Sequence, residues 1–430
     1  MEKKTMHIEM MLSKAIRIMH GKADNIKNEL VRGISIDSRT LKPGELFFAL
    51  KGENTDGHKF AAEAIKKGAV GVVVRNKTGI IDEILVDDTL FALGELARYY
   101  RTNFKPLIIA ITGTNGKTTV KNLIAGILST KFNVLWTKKS YNSLIGLPLM
   151  IFEITGDEDY IVLEMGTSNP GEIKRLCDIA KPFIGIITNI GPGHLKGLNS
   201  IEGVKKEKLS LIESLPNEGM GFVGTNVDGI AKKNIIRFSF NEVQNVDISE
   251  FGSGFLYKGV EFFTPLLGLN NVYNCFIALT VTEKLGIDVE TQKKVLKSVK
   301  PEPGRLEPIR LDKLLIINDS YNANPVSMKS AIDFVSQINR RKIFILGDML
   351  ELGDESERYH REIGIYAREH SDHLLTFGAY AEIYGGIHFE DRDKLVSHLF
   401  KILKGEEVIL VKASRAMKFE EIVKKILRRY

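Results

Sequence analysis

The clearest chemistry in the sequence lies in Ile108-Ile109-Ala110-Ile111-Thr112-Gly113-Thr114-Asn115-Gly116-Lys117-Thr118-Thr119. A run this apolar reads as a strand buried on both faces, and it enters a glycine-bearing turn that opens a helix. That combination is a phosphate cradle. Gly113 and Gly116 let backbone N–H groups of the loop, with Thr114, Asn115 and Thr119, approach phosphate oxygens. The helix amino terminus adds positive potential, Lys117 neutralises charge, and the Thr118 hydroxyl can ligate Mg2+. Where the common motif carries its first glycine this chain has Ile111, so the loop is a shortened Gly-x-x-Gly-Lys-Thr form.

Three further side chains could act with such a loop. Ile161-Val162-Leu163-Glu164-Met165-Gly166 sets Glu164 at the carboxyl end of a second buried strand, the edge of a parallel sheet that faces the ligand crevice. Glu164 is a candidate Mg2+ ligand or a solvated strand-end carboxylate. Thr188-Asn189-Ile190-Gly191-Pro192-Gly193-His194 ends another strand in a tight turn. His194 alone reads more readily as structural, but sharing that edge favours a ligand role. Lys208, in Lys205-Lys206-Glu207-Lys208, reads by composition as part of a solvated charged face.

The elements that must hold these residues alternate in a βα rhythm. Strands are expected at Leu107 to Thr112, Val134 to Trp136, Tyr160 to Glu164 and Ile184 to Thr188, with helices from Lys117, Pro170 and about Gly203. A smaller α/β module precedes them (strands Ile34 to Ile36, Leu46 to Leu50 and Val70 to Val74, helix Phe60 to Lys67), joined through a helix over Thr89 to Tyr100. Pro301-Glu302-Pro303-Gly304 interrupts helices over Asn271 to Leu285 and Thr291 to Val299 and marks a linker. Beyond it strands at Leu314 to Asn318, Ile343 to Leu346, Leu374 to Phe377 and Val408 to Val411 alternate with helices Pro325 to Ile338, Ser356 to Ala367 and Ala416 to Arg429. At 430 residues the chain has room for about three domains, and these breaks divide it at 1–103, 104–302 and 303–430.

Composition narrows the classes of function. With 43% hydrophobic and 27% charged residues and no long apolar run, the chain is neither disordered nor a membrane-spanning protein. Met1-Glu2-Lys3-Lys4-Thr5-Met6-His7 lacks an apolar segment followed by a cleavage site, which reads as cytoplasmic. Cys177 and Cys275 are too few for a disulfide framework and are expected in the core. The net charge of +6 is spread without the dense basic stripe of a nucleic-acid binder, so no nucleic-acid partner is expected. A nucleotide switch is disfavoured because Asn76-Lys77-Thr78-Gly79 lacks the aspartate of a guanine-reading Asn-Lys-x-Asp.

Taken in order along the chain, these motifs resemble the Mur ligases, the ATP-dependent amide-bond ligases of peptidoglycan synthesis. The resemblance rests on the shortened phosphate loop, Glu164-Met165-Gly166, residues 188–195, Leu267-Gly268-Leu269-Asn270-Asn271-Val272-Tyr273-Asn274, Pro303-Gly304-Arg305 and Asp319-Ser320-Tyr321-Asn322-Ala323-Asn324-Pro325. It covers nearly the whole chain. Residues 319–325, Ile345 to Gly353 and Val411 to Met417 look like the branch that adds D-alanyl-D-alanine to UDP-N-acetylmuramoyl-tripeptide, and Gly347-Asp348-Met349-Leu350-Glu351-Leu352-Gly353 discriminates most. The alternative is a sibling ligase adding the third residue of the peptide. A folate polyglutamyl ligase shares a similar ATP site, but the first domain argues against it.

The resemblance implies a three-domain α/β fold, with a UDP-substrate domain, a central phosphate-loop ATPase and a Rossmann-like third domain. It further implies ATP and Mg2+ as cofactors. Lys117 would bind the β and γ phosphates, and Thr118, Glu164 and His194 the metal. Asn271 and Asn274 would contact adenine, with Asn270 standing where the family has histidine. Arg305 would reach the γ-phosphate from the third domain and Asp319 would lie beside the nucleotide, both by closure over the central domain. Lys208 would be a carbamylated lysine, its amine kept neutral with help from cations such as Lys205. Ser38 and Arg39 would hold the UDP end, and Asn142 and Ser143 would line the acceptor site. Substrate contacts extend to Asn322, Asn324, Ser414 and Arg415. The partners are then the two substrates, with the chain acting as a monomer through an acyl phosphate. His360 could deprotonate the amine, although its position reads better as the surface of a helix.

Overall fold

The computed structural model describes residues 8–430 except 25, 53, 54, 139, 140 and 226, so the amino-terminal reading of Met1 to His7 lies outside the described residues. Three parallel or mostly parallel sheets carry the chain. In the first, Gly33–Ser35, Glu45–Phe48, Gly71–Val74 and Glu83–Leu85 run parallel in that order. The second has all strands parallel in the order Ile235–Phe238, Met220–Gly224, Ile184–Ile187, Leu107–Thr112, Tyr160–Glu164, Val134–Trp136. In the third, Glu307–Leu311 lies antiparallel beside Leu314–Asp319, and Val408–Lys412, Lys342–Gly347, His373–Phe377 and Ile387–Phe389 follow in parallel.

The central strands are apolar throughout because helices cover both faces, leaving no solvent side for alternation. Ile109, Ile111 and Val162 pack under the helices Lys117–Leu128 and Leu269–Lys284, whereas Ile108, Ala110, Ile161 and Leu163 point the other way into a second cluster. That second cluster is shared with the first domain. The helix Thr89–Arg101 packs on Gly146–Ile151 and Glu172–Ala180, so it joins the two sheets through apolar contact. Cys177 and Cys275 are both buried, as their composition suggested.

Register fixes which residues share an edge. Ile111 pairs with Glu164 and Thr112 with Ile187, which brings the phosphate loop, Glu164 and the turn after Ile187 to one edge of the central sheet. Asp319 pairs with Lys412 at the corresponding edge of the third sheet.

Several elements differ from or add to the sequence reading, among them strands at Met220–Gly224, Ile235–Phe238 and Glu307–Leu311 and the helix Arg392–Ile402. The final helix begins at Glu420, because Lys418 adopts a left-handed φ of 49° after a short turn at Arg415–Met417, and buried Phe419 sits against Gly347. A three-stranded antiparallel sheet over Val243–Ser249, Gly252–Tyr257 and Val260–Thr264 is an element that the alternation of helices and parallel strands did not suggest. Its hairpin tip reaches the third domain: Arg340 Nη2 lies 3.0 Å from Glu250 Oε2, and Arg310 sits 5.2 Å from the centre of the Phe251 ring.

Candidate active site

The carboxyl edges of the central and third sheets border one cavity of about 360 Å3. From the central side it is lined by Thr114 to Thr119, Asn142, Ser143, Glu164, His194, Asn271 and Asn274. From the other side come Arg305, Asp319, Asn322, Asn324 and Lys412.

The phosphate loop is held from behind by the turn after Ile187. Asn189 Oδ1 accepts the Asn115 N–H at 2.9 Å, Thr188 Oγ1 donates to the Asn115 carbonyl at 2.5 Å, and Thr114 Oγ1 donates to the Gly191 carbonyl at 3.0 Å. Two glycines are required by this packing. A Cβ at Gly113 would collide with Thr188 Oγ1, and one at Gly116 with Asn274 Oδ1, where φ is +81°. The backbone therefore occupies the space a side chain would fill, and the helix from Lys117 presents its free N–H groups to the cavity. Lys117 Nζ donates to the Gly113 and Thr114 carbonyls at 2.7 and 3.2 Å. Burial holds its ammonium below the ordinary lysine range, with Glu164 opposing and Arg305 reinforcing the shift.

Thr118 is a junction between the domains. Its Oγ1 donates to Glu164 Oε2 at 2.8 Å and accepts from Arg305 Nη2 at 2.9 Å, while Asn142 Nδ2 donates to Glu164 Oε1 at 2.8 Å. Arg305 also stacks on Tyr321, 3.9 Å from guanidinium carbon to ring centre. Asn115 and Asn324 exchange side-chain hydrogen bonds of 2.7 and 3.3 Å across the same gap. Asn324 additionally caps the helix Pro325–Ser336 by accepting from Ser327 N. The third domain is thus docked with Arg305 against the phosphate loop.

His194 lines the cavity but is paired elsewhere: its Nδ1 lies 2.6 Å from Glu351 Oε2 of the third domain. The two atoms are at ion-pairing distance without the in-line geometry of a hydrogen bond. Contact with His194 holds the Glu351 carboxyl below its usual range, against burial. Among the described residues no cluster of three His, Cys, Asp or Glu side chains could cage a metal. Two hard oxygens, from Thr118 and Glu164, nevertheless meet at the loop, which suits Mg2+, an ion commonly held by few protein oxygens together with phosphates.

Lys208 is 1% exposed on the helix Ile201–Glu213, not on a solvated face. Burial pushes its amine well below the ordinary lysine value, and the Lys117 charge acts in the same direction. Lys205, expected to assist, instead ion-pairs with Asp228, and Lys117 takes its place. Asp319 accepts the Leu306 N–H at 3.0 Å and pairs with Lys412 Nζ at 2.5 Å. Asn271 donates to the Leu267 carbonyl and accepts from Asn274, which orients both amides at the cavity.

Ser38 and Arg39 do not line this cavity. Ser38 Oγ donates to Glu63 at 3.2 Å and Arg39 ion-pairs with Asp37 at 2.7 Å, within the first domain. Ser143 Oγ accepts from Gly146 N at 3.3 Å at the cavity wall. Ser414 is buried behind the cavity, where its Oγ accepts the Leu350 N–H at 2.8 Å, and Arg415 pairs with Glu420 at 3.1 Å. His360 is fully buried, not on the helix surface. Its Nε2 accepts the Met349 N–H at 2.9 Å and its Nδ1 faces the Ser356 carbonyl at 2.6 Å, so both ring nitrogens serve the fold.

Three family models match the chain: the Mur ligase family catalytic domain over residues 30–101, the Mur ligase middle domain over 111–282, and the Mur ligase glutamate ligase domain over 304–415. A Bacillus subtilis UDP-N-acetylmuramoyl-tripeptide–D-alanyl-D-alanine ligase is 38% identical over 93% of this chain and 93% of its own. The chain belongs to the Mur ligase family. MurF from Acinetobacter baumannii superposes with a TM-score of 0.91 at 28% identity, over 98% of this chain and 99% of the other. A MurF ligase from Thermotoga maritima in complex with ADP gives 0.86 at 27% identity over 93% and 97%. The α/β architecture is therefore that of a three-domain Mur ligase.

Three groups that line the Mur ligase cavity or support residues lining it escaped the sequence reading. Lys121, 2% exposed, donates to the Thr137 carbonyl at 2.6 Å, and Thr137 Oγ1 accepts the Glu164 N–H at 2.9 Å. Its position four residues after Lys117 on one helix was the available signal. Lys412 ends a buried strand, the same rule that singled out Glu164. Glu351 sat in the most discriminating motif without an assigned role.

Proposed function

We propose that the chain joins UDP-N-acetylmuramoyl-tripeptide to D-alanyl-D-alanine at the expense of ATP, giving the pentapeptide used in peptidoglycan synthesis. The observation that carries this reading is the meeting of the phosphate loop and Glu164 with Arg305 and Asp319 at one cavity, in a chain alignable end to end with ligases of that name. The carboxylate of the tripeptide attacks the γ-phosphorus, ADP leaves, and an acyl phosphate results. The dipeptide amine then attacks the acyl carbon, losing its proton as phosphate departs.

A carboxylate and ATP repel one another, so the chain must supply positive charge. Mg2+, when bound, neutralises phosphate oxygens and stabilises the transferring group. Thr118 and Glu164 would supply oxygens for it and His194, in the same cavity wall, a nitrogen. Lys117 and Arg305 bracket the transferring phosphoryl group, and the loop N–H groups hold the β-phosphate. Asn271 and Asn274 orient adenine, and Asp319 fixes the segment carrying Arg305 through Leu306. The neutral Lys208 nitrogen adds to the carbon of CO2 and releases one proton to solvent, giving a carbamate anion whose charge the Lys117 cation favours. Asn142 and Ser143 bind the tripeptide end, Ser38 and Arg39 the UDP end, and Asn322 and Asn324 border the dipeptide, supported from behind the cavity wall by Ser414, which holds the Leu350 N–H, and by Arg415, whose N–H reaches Asn322. Docking of the third domain keeps water from the acyl phosphate.

This reading divides the chain at 103/104 and 302/303, which leaves each large sheet within one segment. One chain supplies every group named, so the enzyme is proposed to act as a monomer, in the cytoplasm where ATP and UDP-linked precursors are found. Among the described residues no helix is long and apolar enough to cross a membrane.

ADP release measured with UDP-N-acetylmuramoyl-tripeptide and D-alanyl-D-alanine, against single amino acids and no amine, tests the reading. Release should require both substrates and match pentapeptide formed. Release only with a shorter acceptor and one amino acid would make the chain a sibling ligase. The phosphate loop has its own test in Gly116→Ala. A left-handed alanine costs roughly 1–2 kcal/mol and its Cβ meets Asn274 Oδ1, so the free loop relaxes and must regain the strained conformation on binding; at ~1.4 kcal/mol per tenfold in affinity, calorimetry should find ADP binding weakened about tenfold or more. Unchanged affinity would mean that phosphates bind elsewhere.

A further inference from the structure

We propose that Glu351 is a positioning residue: reaching across from the third domain, it sets His194 for the metal-nucleotide site and so ties assembly of that site to domain docking. This rests on the assignment of His194 above. The motif Gly347 to Gly353 looked the most discriminating in the sequence, yet none of the chemical steps uses it. In the structure it forms a loop held on every side. The Met349 N–H is taken by His360 Nε2 at 2.9 Å and the Leu350 N–H by Ser414 Oγ at 2.8 Å, while Met349 and Leu352 are buried. Buried Asp348 accepts the N–H groups of Tyr380 and Ala381 at 3.0 and 2.7 Å.

What this anchoring presents is Glu351, in a left-handed conformation with φ of +66°. Its carbonyl accepts the Lys196 N–H at 3.0 Å and its carboxylate meets His194 Nδ1 at 2.6 Å. His194 is itself left-handed, at φ +56°. Two non-glycine residues held in this sparsely populated region face each other across a domain boundary, an arrangement that needs surrounding structure to maintain it. Even without in-line hydrogen-bond geometry, the negative charge of Glu351 beside Nδ1 favours the proton on that nitrogen and leaves Nε2 as an electron-pair donor, the tautomer a metal-facing histidine needs. Backbone and side chain of Glu351 therefore engage the His194–Lys196 turn together, and both contacts exist only while the domains are docked. Glu351 is half exposed and His194 partly so, which keeps the pair's contribution to stability small.

The test compares Glu351→Ala and His194→Ala with the wild-type chain. Calorimetry gives the ratio of ADP affinity in Mg2+ to that in EDTA, and ADP release gives the half-saturating Mg2+ concentration. Glu351→Ala is expected to lower the ratio and raise the half-saturating Mg2+ by about tenfold or more, with the melting temperature and the ADP affinity in EDTA unchanged. If Glu351→Ala keeps the wild-type ratio while His194→Ala loses it, the positioning role is wrong and the His194 assignment stands. If both variants keep it, the His194 assignment is wrong and the proposal falls with it.

Discussion

Arg305→Ala is expected to lower turnover about 10³-fold, on the scale of arginines that stabilise phosphoryl transfer, without unfolding the chain. The guanidinium is preorganised: it stacks on Tyr321 at 3.9 Å and donates to Thr118 Oγ1 at 2.9 Å. It is held where charge on the transferring group grows, so its loss should fall mainly on kcat and only weakly on KM for ATP. Arg305→Lys keeps the charge but neither the planar fork nor the stacked face, and is expected to recover less than a tenth of the lost rate. Tyr321→Ala leaves the contact with Thr118 in place and should cost far less. Steady-state ADP release with both substrates saturating decides the matter. A kcat within tenfold of wild type in Arg305→Ala would remove this residue from the chemistry and reduce its contact with Thr118 to a docking contact.

Arg305 also shows what a sequence can and cannot reveal. The central strands Leu107–Thr112 and Tyr160–Glu164 were legible to the residue, because strands buried on both faces are apolar runs between turn residues, and the half-buried edge strand Val134–Trp136 was legible from its short apolar run alone. The Val243–Thr264 sheet was not. Val243–Ser249 alternates buried and exposed residues weakly, and its second hairpin turns through Lys258-Gly259, which lacks the Asn-Gly or Asp-Gly signal. The place of Glu164 at the cavity was legible, since a strand's carboxyl end in a parallel sheet faces the ligand crevice, although position alone left open whether it would be a ligand or a solvated carboxylate. His360 was misread because a helix that is polar along most of its length, Ser356–Glu369, turns one histidine inward to cap a loop from elsewhere. Such contacts join residues far apart in the chain, and no local pattern encodes them. Glu351 with His194, Lys412 with Asp319 and Asn324 with Asn115 are of this kind.

Lys208 separates the two kinds of information most sharply, because its surroundings reverse the solvated-face reading. Lys208→Met is expected to lower turnover at least ~10²-fold, the scale lost with one preorganised polar group, while leaving the fold as stable or more so. Methionine fills the buried space without a charge to desolvate. The folded-state value of this amine lies well below the ordinary 10.5, with burial the larger cause and Lys117 the second. Between those two values the unfolded chain binds more protons than the folded one, so native stability rises with pH across that window and is lowest below it. In CO2-free buffer the melting temperature of Lys208→Met should therefore exceed that of wild type most at neutral pH, and the gap should narrow as pH approaches 10.5. Removing CO2 should slow the wild-type enzyme and bicarbonate should restore it, because the neutral amine needs CO2 to become an anion. Lys208→Met should respond to neither. A variant with wild-type turnover would leave Lys208 a buried lysine without a part in the reaction. A slow variant whose wild-type parent ignores CO2 would keep the residue in the site but as an amine, with its lowered proton affinity, not a carbamate, as the property that matters.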